Sequence, residues 1–390
     1  MTSFLLLWLS AQAVSVLLVW IFTIGLGQAV HLKATPRLAV IVAVKGHHEE
    51  FDRFLEHLFA QDYQFFRVIF SIEAADDPAV APIESWRAKF PDRVALVIAG
   101  LAHDEGQKIA NLRAALAHVT PADEIVVFAD GDIRPSRDWL RRLIAPLLDG
   151  KADIVSGFAW LVVNDRSFSS FVMASMAATM VTVPRLPIFN AAWGGSVAML
   201  RERCEALDLR EAWRGSICDD LHLTAIAQRA GYTIAAPREI LPRLFVSTRG
   251  FGDVAPDALR WLVCFRIYVP ATYYLVMLGL TFAAAGWIAA LLGTLSGHSA
   301  AMLVLISAFA LAVLRSAGRA VIVARLWGRS GLDENRRFLL LDAMVTPLAA
   351  ILNAAYGWYA LFMRRIIWAG ITYEILGPKQ TRVLSRRPSM

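Results

Sequence analysis

The chain has 390 residues, 57% of them hydrophobic, and 39 basic against 33 acidic side chains leave a net charge of +6. That length allows one large domain or two, and the hydrophobic share exceeds the usual soluble range. The positive charge is scattered in pairs (Arg141-Arg142, Arg336-Arg337, Arg364-Arg365, Arg386-Arg387) beside helical or apolar segments. Such scatter argues against a nucleic-acid surface and suits anionic lipid headgroups, or else plain solvated helix ends. Cys204, Cys218 and Cys264 are odd in number and lack metal-site spacing, which fits a reducing cytosol.

Residues 4–30 carry no charged side chain, a run longer than the roughly 20 residues that span a bilayer. No Lys or Arg precedes it, so it reads as a retained anchor rather than a cleaved signal. Lys33 and Arg37 follow at once, which places the N-terminus outside and the next domain in the cytosol. From 37 to about 245 strand-like and helix-like patterns alternate. Strands are expected at 37–44, 68–72, 94–98, 125–129 and 196–200, with an extended run over 153–163. Helices are expected at 49–60, 82–89, 107–118, 138–148 and 219–230, the last closed by Gly231. This alternation predicts an α/β fold with a mostly parallel sheet and helices on both faces. Residues 167–182 are apolar and form either a core helix or an interfacial one. Gly194-Gly195 opens the strand at 196.

Past Arg266 the membrane pattern returns at 267–297, about 300–323, and about 338–363, the last interrupted by Asp342, Pro347 and Asn353. The loop 325–337 and the tail after 364 are both basic. They share one side only if the last segment is re-entrant or broken at Pro347, and a cytosolic tail is the favoured reading.

Acidic residues mark the places where an α/β sheet presents its ligand groups. Asp130-Gly131-Asp132 follows a strand, and paired oxygens there suit a hard divalent cation, Mg2+ or Mn2+, that also binds phosphates; a structural turn is the alternative. Asp219-Asp220 starts a helix. Either the pair caps that helix, or Asp220 is a general base with Asp219 orienting or capping. Arg260-Trp261 precedes the membrane run, as a diphosphate-binding Arg beside a stacking Trp, or as a snorkelling Arg beside an interfacial anchor.

The order of these marks resembles the inverting family 2-type glycosyltransferases, especially the ceramide glucosyltransferase-like branch. Val44-Lys45-Gly46 resembles its opening strand, Gln61-Asp62-Tyr63 its Gln-Asp-Tyr, and Glu73 through Ala79 its first acidic motif. Lys108-Ile-Ala-Asn111-Leu112 resembles its Lys-Ile-x-Asn-Leu helix start, and Asp130-Gly131-Asp132 its metal motif. Asp219-Asp220, Arg260-Trp261 and Trp368-Ala-Gly370-Ile-Thr-Tyr373 are similar to its Glu-Asp pair, its Arg-Trp motif and its tail. Three positions depart from the pattern: Ala74 replaces the first acidic residue, Asp257 opens the Arg-Trp motif, and Ala369 stands where the tail has Arg.

The resemblance implies a Rossmann-like GT-A domain set between an N-terminal transmembrane helix and C-terminal membrane segments. It implies an anchor at 1–32, a cytosolic catalytic domain at 33–250, an interfacial segment at 251–266, membrane segments at 267–365 and a basic tail at 366–390. The implied reaction moves a hexose, glucose or galactose, from a UDP-sugar to a lipid hydroxyl such as that of ceramide or diacylglycerol. Donor contacts would fall to Glu73 (with Asp76 or Asp77 as rivals), Lys108, Asp130, Arg260 and Trp261. Asp130 and Asp132 would hold the metal, Asp220 would be the base, and Asp219, Gly194 and Gly195 would support it. Lys108 is alternatively a solvated helix residue. Two other functions use the same marks: a polysaccharide synthase, and a membrane scaffold with a degenerate donor fold. Oligomeric state is not legible.

Overall fold

The structure is a computed structural model and describes residues 2–182 and 190–387; residues 388–390 of the expected tail lie outside the described residues. A seven-stranded sheet runs in the order Val94–Ile98, Phe66–Ile72, Leu38–Ala43, Ile125–Asp130, Ser196–Leu200, Ile154–Ser156, Ile234–Ala235. The first four strands are mutually parallel. Ser196–Leu200 is antiparallel to both of its neighbours, and the last strand is parallel to Ile154–Ser156. The central strands are continuous Val and Ile runs because both of their faces are covered.

Alternation along each strand splits the core in two. Val40, Val42 and Val127 meet Phe51, Phe54, Leu55 and Leu58 of helix Glu49–Phe59, with Leu140, Leu143 and Ile144 of helix Trp139–Leu148. Ala39, Ile41, Val126 and Phe128 meet Ile109, Leu112 and Ala115 of helix Gln107–Leu116, with Leu223 and Ala227 of helix Asp220–Arg229. Each fully buried large side chain contributes about 1.5–3 kcal/mol.

The extended run at 153–163 divides into Ile154–Ser156 and Trp160–Val163. A side chain at Gly157 would stand 2.6 Å from Ile240, and this close approach marks the break. Trp160–Val163 joins a second sheet with Ile133–Arg134 and Arg243–Val246. The apolar stretch at 167–182 is the buried helix Phe168–Val181, whose core also contains Ile322, Val323, Val345 and Ala349.

Among the described residues, three helices are long and apolar enough to cross a membrane: Thr2–Thr23, Pro270–Leu295 and Ser299–Ala360. The segments expected at 300–323 and 338–363 belong to one helical run that turns at Gly328 (φ 64°, ψ −149°), not at Pro347. Folding back there brings Asp342 against Arg319 at 2.6 Å, with both side chains almost fully buried. Ser175 and Ser316 also donate to Asp342, so this acidic residue in an apolar run is fully partnered.

The second half of that run begins against the α/β domain. Trp160 Nε1 donates to Asn335 (2.9 Å), and Arg243 pairs with Glu334 (2.7 Å). It also ends there. Residues 365–386, expected as a basic tail, form an antiparallel sheet of Arg365–Trp368, Ile371–Gly377 and Gln380–Arg386. Ile366, Ile371, Tyr373 and Ile375 of this sheet pack with Leu259, Val263 and Cys264 of helix Phe251–Tyr268. The Val383 N–H donates to the His103 carbonyl (2.9 Å).

Candidate active site

Strand Ile125–Asp130 delivers Asp130 at its C-terminal end. Helix Gln107–Leu116 carries Lys108 in its first turn, and its Nζ lies 2.7 Å from Asp130 Oδ1 and 3.1 Å from Asp219 Oδ2. Lys108 is therefore no solvated helix residue. Asp219 immediately precedes helix Asp220–Arg229, but its side chain makes no capping hydrogen bond there. It turns to the lysine instead, and its own carbonyl accepts from Trp213 Nε1 at 3.0 Å.

The Gly194-Gly195 pair lets these groups close up. A Cβ on Gly194 would stand 2.2 Å from Asp219 Oδ2, and one on Gly195 would stand 2.9 Å from Asp130 Oδ2.

One ammonium serves several carboxylates, and the charges respond accordingly. Burial alone would lower the Lys108 pKa, but Asp130, Asp219 and Asp220 override it and hold the value above the ordinary lysine range. Burial raises Asp219 to about 6; Lys108 opposes this, while Asp220 and Asp130 add to it. Burial and then the Asp130 charge push Asp132 up to about 7 against the pull of Lys108 and Arg260. The cluster is short of positive charge, which suits a divalent cation. Among the described residues no group of three or more His, Cys, Asp or Glu side chains is gathered as a metal site. A cation held by Asp130 and Asp132 would draw its other ligands from substrate phosphates and water.

Asp220 is anchored at both oxygens: Oδ2 accepts from the Gly194 N–H (3.0 Å), and Oδ1 accepts from the Leu221 N–H (2.7 Å) and the Cys218 thiol (2.8 Å). These bonds fix its orientation and leave lone pairs free for a further donor.

Of the three acidic candidates after strand Phe66–Ile72, Asp77 is spent on the backbone. It accepts from the N–H groups of Gly46 (3.0 Å) and Ala79 (2.8 Å). Asp76 is exposed. Glu73 is flanked by two cations, Lys45 on Oε1 and Arg386 on Oε2, the latter at 3.0 Å.

Arg260 comes from helix Phe251–Tyr268. Asp257 pairs with it at 3.1 Å, so the acidic residue that opens this motif braces the arginine rather than meeting a phosphate. Arg260 lies over the Trp368 ring at 4.6 Å, and Lys108 lies 5.9 Å from the same ring. Its Nε is buried without a hydrogen-bond partner among the described residues. Trp261 is 39% exposed, and its side chain makes no hydrogen bond or ring contact among the described residues. The aromatic residue that meets the charged cluster is thus Trp368.

Trp368 and Arg386 were not among the sequence candidates for the site. The signal for the first was the Trp-x-Gly step, where Ala369 (φ 47°) and Gly370 (φ 74°) make a tight hairpin turn. Arg386 carried no local signal.

The fold is similar to that of a mannosyltransferase from Pyrobaculum calidifontis in complex with GDP-Man and Mn2+, with a TM-score of 0.53 at 22% identity over 84% of this chain and 99% of that one. More distant is TarS (residues 1–349) from S. aureus in complex with UDP-GlcNAc, with a TM-score of 0.39 at 12% identity over 90% of this chain and 100% of that one. No curated protein matches the chain. The profile of glycosyl transferase family 21 matches residues 3–380, a span that takes in the N-terminal apolar helix, the carboxylate cluster and the first two strands of the C-terminal sheet. With its family thus shown over nearly the whole sequence, the chain belongs to glycosyl transferase family 21 and is a glycosyltransferase.

Proposed function

We propose that this enzyme transfers a hexose, glucose or galactose, from a UDP-sugar to a lipid hydroxyl at the cytosolic membrane face, with inversion. The carrying observation is position. Lys108 of the Lys108–Asp130–Asp219 cluster shares the Trp368 ring with Arg260, and the helix that carries Arg260 ends at Tyr268, two residues before the apolar helix that starts at Pro270. A hydroxyl at headgroup depth would have only a short way to travel.

In this reading Asp220 takes the proton of the acceptor hydroxyl as its oxygen attacks the anomeric carbon and the bond to the diphosphate breaks. Lys108 and Arg260 bind the departing diphosphate. Asp130 and Asp132 would hold Mg2+ or Mn2+, which would offset the negative charge of the leaving group. Glu73 faces the nucleoside. Trp261, exposed on the helix leading to the membrane, guides the lipid.

A polysaccharide synthase would need a channel for its product. The three candidate spans among the described residues favour a lipid acceptor that enters sideways from the bilayer. To test the proposal, purified protein is incubated with a panel of nucleotide sugars and host lipid extract, and products are identified by mass spectrometry and anomeric NMR. A glycolipid of inverted configuration is expected. A water-soluble glycan, or retained configuration, would overturn the reading.

A further inference from the structure

The C-terminal sheet reaches the site at two separated points. Trp368 stands over Arg260 near Lys108, at the end assigned to the diphosphate. Arg386, on the last strand, meets Glu73 beyond the end of strand Phe66–Ile72. Arg386 is also held by the Ala102 carbonyl and by Gln107 Oε1 at 2.8 Å. The Gln107 N–H in turn donates to Tyr373 on the same sheet (3.1 Å). Lys45, Glu73 and Arg386 each keep part of the side chain open to solvent (20%, 14% and 21%).

Across this trio the hydrogen-bonding order is donor, acceptor, donor. Lysine and arginine donate only, and a carboxylate only accepts while retaining lone pairs beyond those already used. Uracil presents the complementary order along one edge: O4 accepts, N3–H donates, O2 accepts. Cytosine offers donor, acceptor, acceptor, and guanine offers acceptor, donor, donor. Adenine has no ring N–H on that edge.

We infer that Lys45, Glu73 and Arg386 together read the nucleobase of the donor as uracil, with Arg386 supplied by the C-terminal strand as a specificity-determining residue. This rests on the nucleotide-sugar reading above and adds the part that selects the base. It also gives the C-terminal sheet a role: one rigid unit sets the distance between the base-reading end and the diphosphate end.

The test is equilibrium binding of UDP, CDP, GDP and inorganic pyrophosphate to the full chain in the presence of Mn2+. A pocket whose buried polar groups go unpaired with the wrong ligand discriminates strongly, so UDP should bind at least about tenfold more tightly than CDP or GDP. Arg386→Ala should erase about tenfold of the UDP preference over GDP and leave pyrophosphate affinity in place. Arg386→Lys, which keeps a donor and the ion pair, should retain the preference. If Arg386→Ala does not fold, the unmodified protein still decides, because CDP or GDP binding as tightly as UDP would overturn the inference. Tight but base-blind binding removes the base-reading trio alone, whereas no binding of any nucleoside diphosphate removes the donor reading itself.

Discussion

Gly194 shows how little room the site leaves. Its missing side chain is the space that Asp219 and Lys108 occupy, with a Cβ falling 2.2 Å and 3.0 Å from their charged atoms. Gly194→Ala should cost about 1–3 kcal/mol of stability through overpacking. It should also lower turnover about 100-fold, because charges displaced by an ångström no longer meet the reacting atoms; thermal melts and initial rates check both. Asp220 makes the opposite case, since its hydrogen bonds leave it oriented and still able to accept. Asp220→Asn should keep UDP affinity and lose at least about 100-fold in turnover, the low end for a positioned base. A folded Asp220→Asn enzyme of native activity would place the base elsewhere. Sequence alone left Asp219 and Lys108 with alternative roles as cap and solvated residue. What decides between them is contact across elements far apart in the chain, and no local pattern encodes that.

The elements of the α/β domain were legible because periodicity is local. Helix Glu49–Phe59 buries the apolar stripe that its spacing announces, and strand Ile125–Asp130 ends at the acidic residue that marks its edge. Short pieces such as Ile234–Ala235 and Arg243–Val246 left too few residues to show a period. The C-terminal sheet was hidden for another reason: Arg365, Arg382, Arg386 and Arg387 gave it the composition of a tail. Elements are also pinned by charge. Asp123, fully buried, receives a bidentate bond from Arg67 (2.9 and 2.6 Å) and is bonded by Thr120, tying strand Phe66–Ile72 to the loop before Ile125. Burial alone would raise the Asp123 pKa, but the Arg67 and Thr120 bonds outweigh it and hold the value below the usual carboxylate range. The contribution is therefore fully present above the unfolded value of about 4 and is lost as pH falls through the lower folded value. Denaturant titrations should show Asp123→Asn less stable by about 1.5–3 kcal/mol at neutral pH. The gap should narrow as acid protonates the native carboxylate, and a gap independent of pH would contradict this account.

At the scale of the whole molecule, the helical run Ser299–Ala360 returns the chain to the domain it left. Asn335 and Glu334 are bonded to that domain at the start of its second half, and the sheet 365–386 docks on it past the end. Both ends of residues 329–360 therefore meet the α/β domain, and we propose that this half turns back rather than crossing the bilayer. On the proposed cytosolic orientation, a single cysteine introduced at Ser385 should be shielded from an impermeant thiol reagent added outside intact cells and labelled once the cells are opened; labelling in intact cells would overturn that orientation. The docking of the sheet also brings Trp368 to Arg260 and Lys108, and Arg386 to Glu73, so the proposed topology and the proposed chemistry rest on the same sheet. The most direct measurement of the central claim follows a sugar label from UDP-[14C]hexose into the organic phase of a lipid extract, using wild-type protein and Asp220→Asn side by side. The proposed function predicts label in a glycolipid band for the wild type and loss of at least about 100-fold in the variant. Label that never enters the lipid phase, for any UDP-hexose, would contradict transfer to a membrane acceptor.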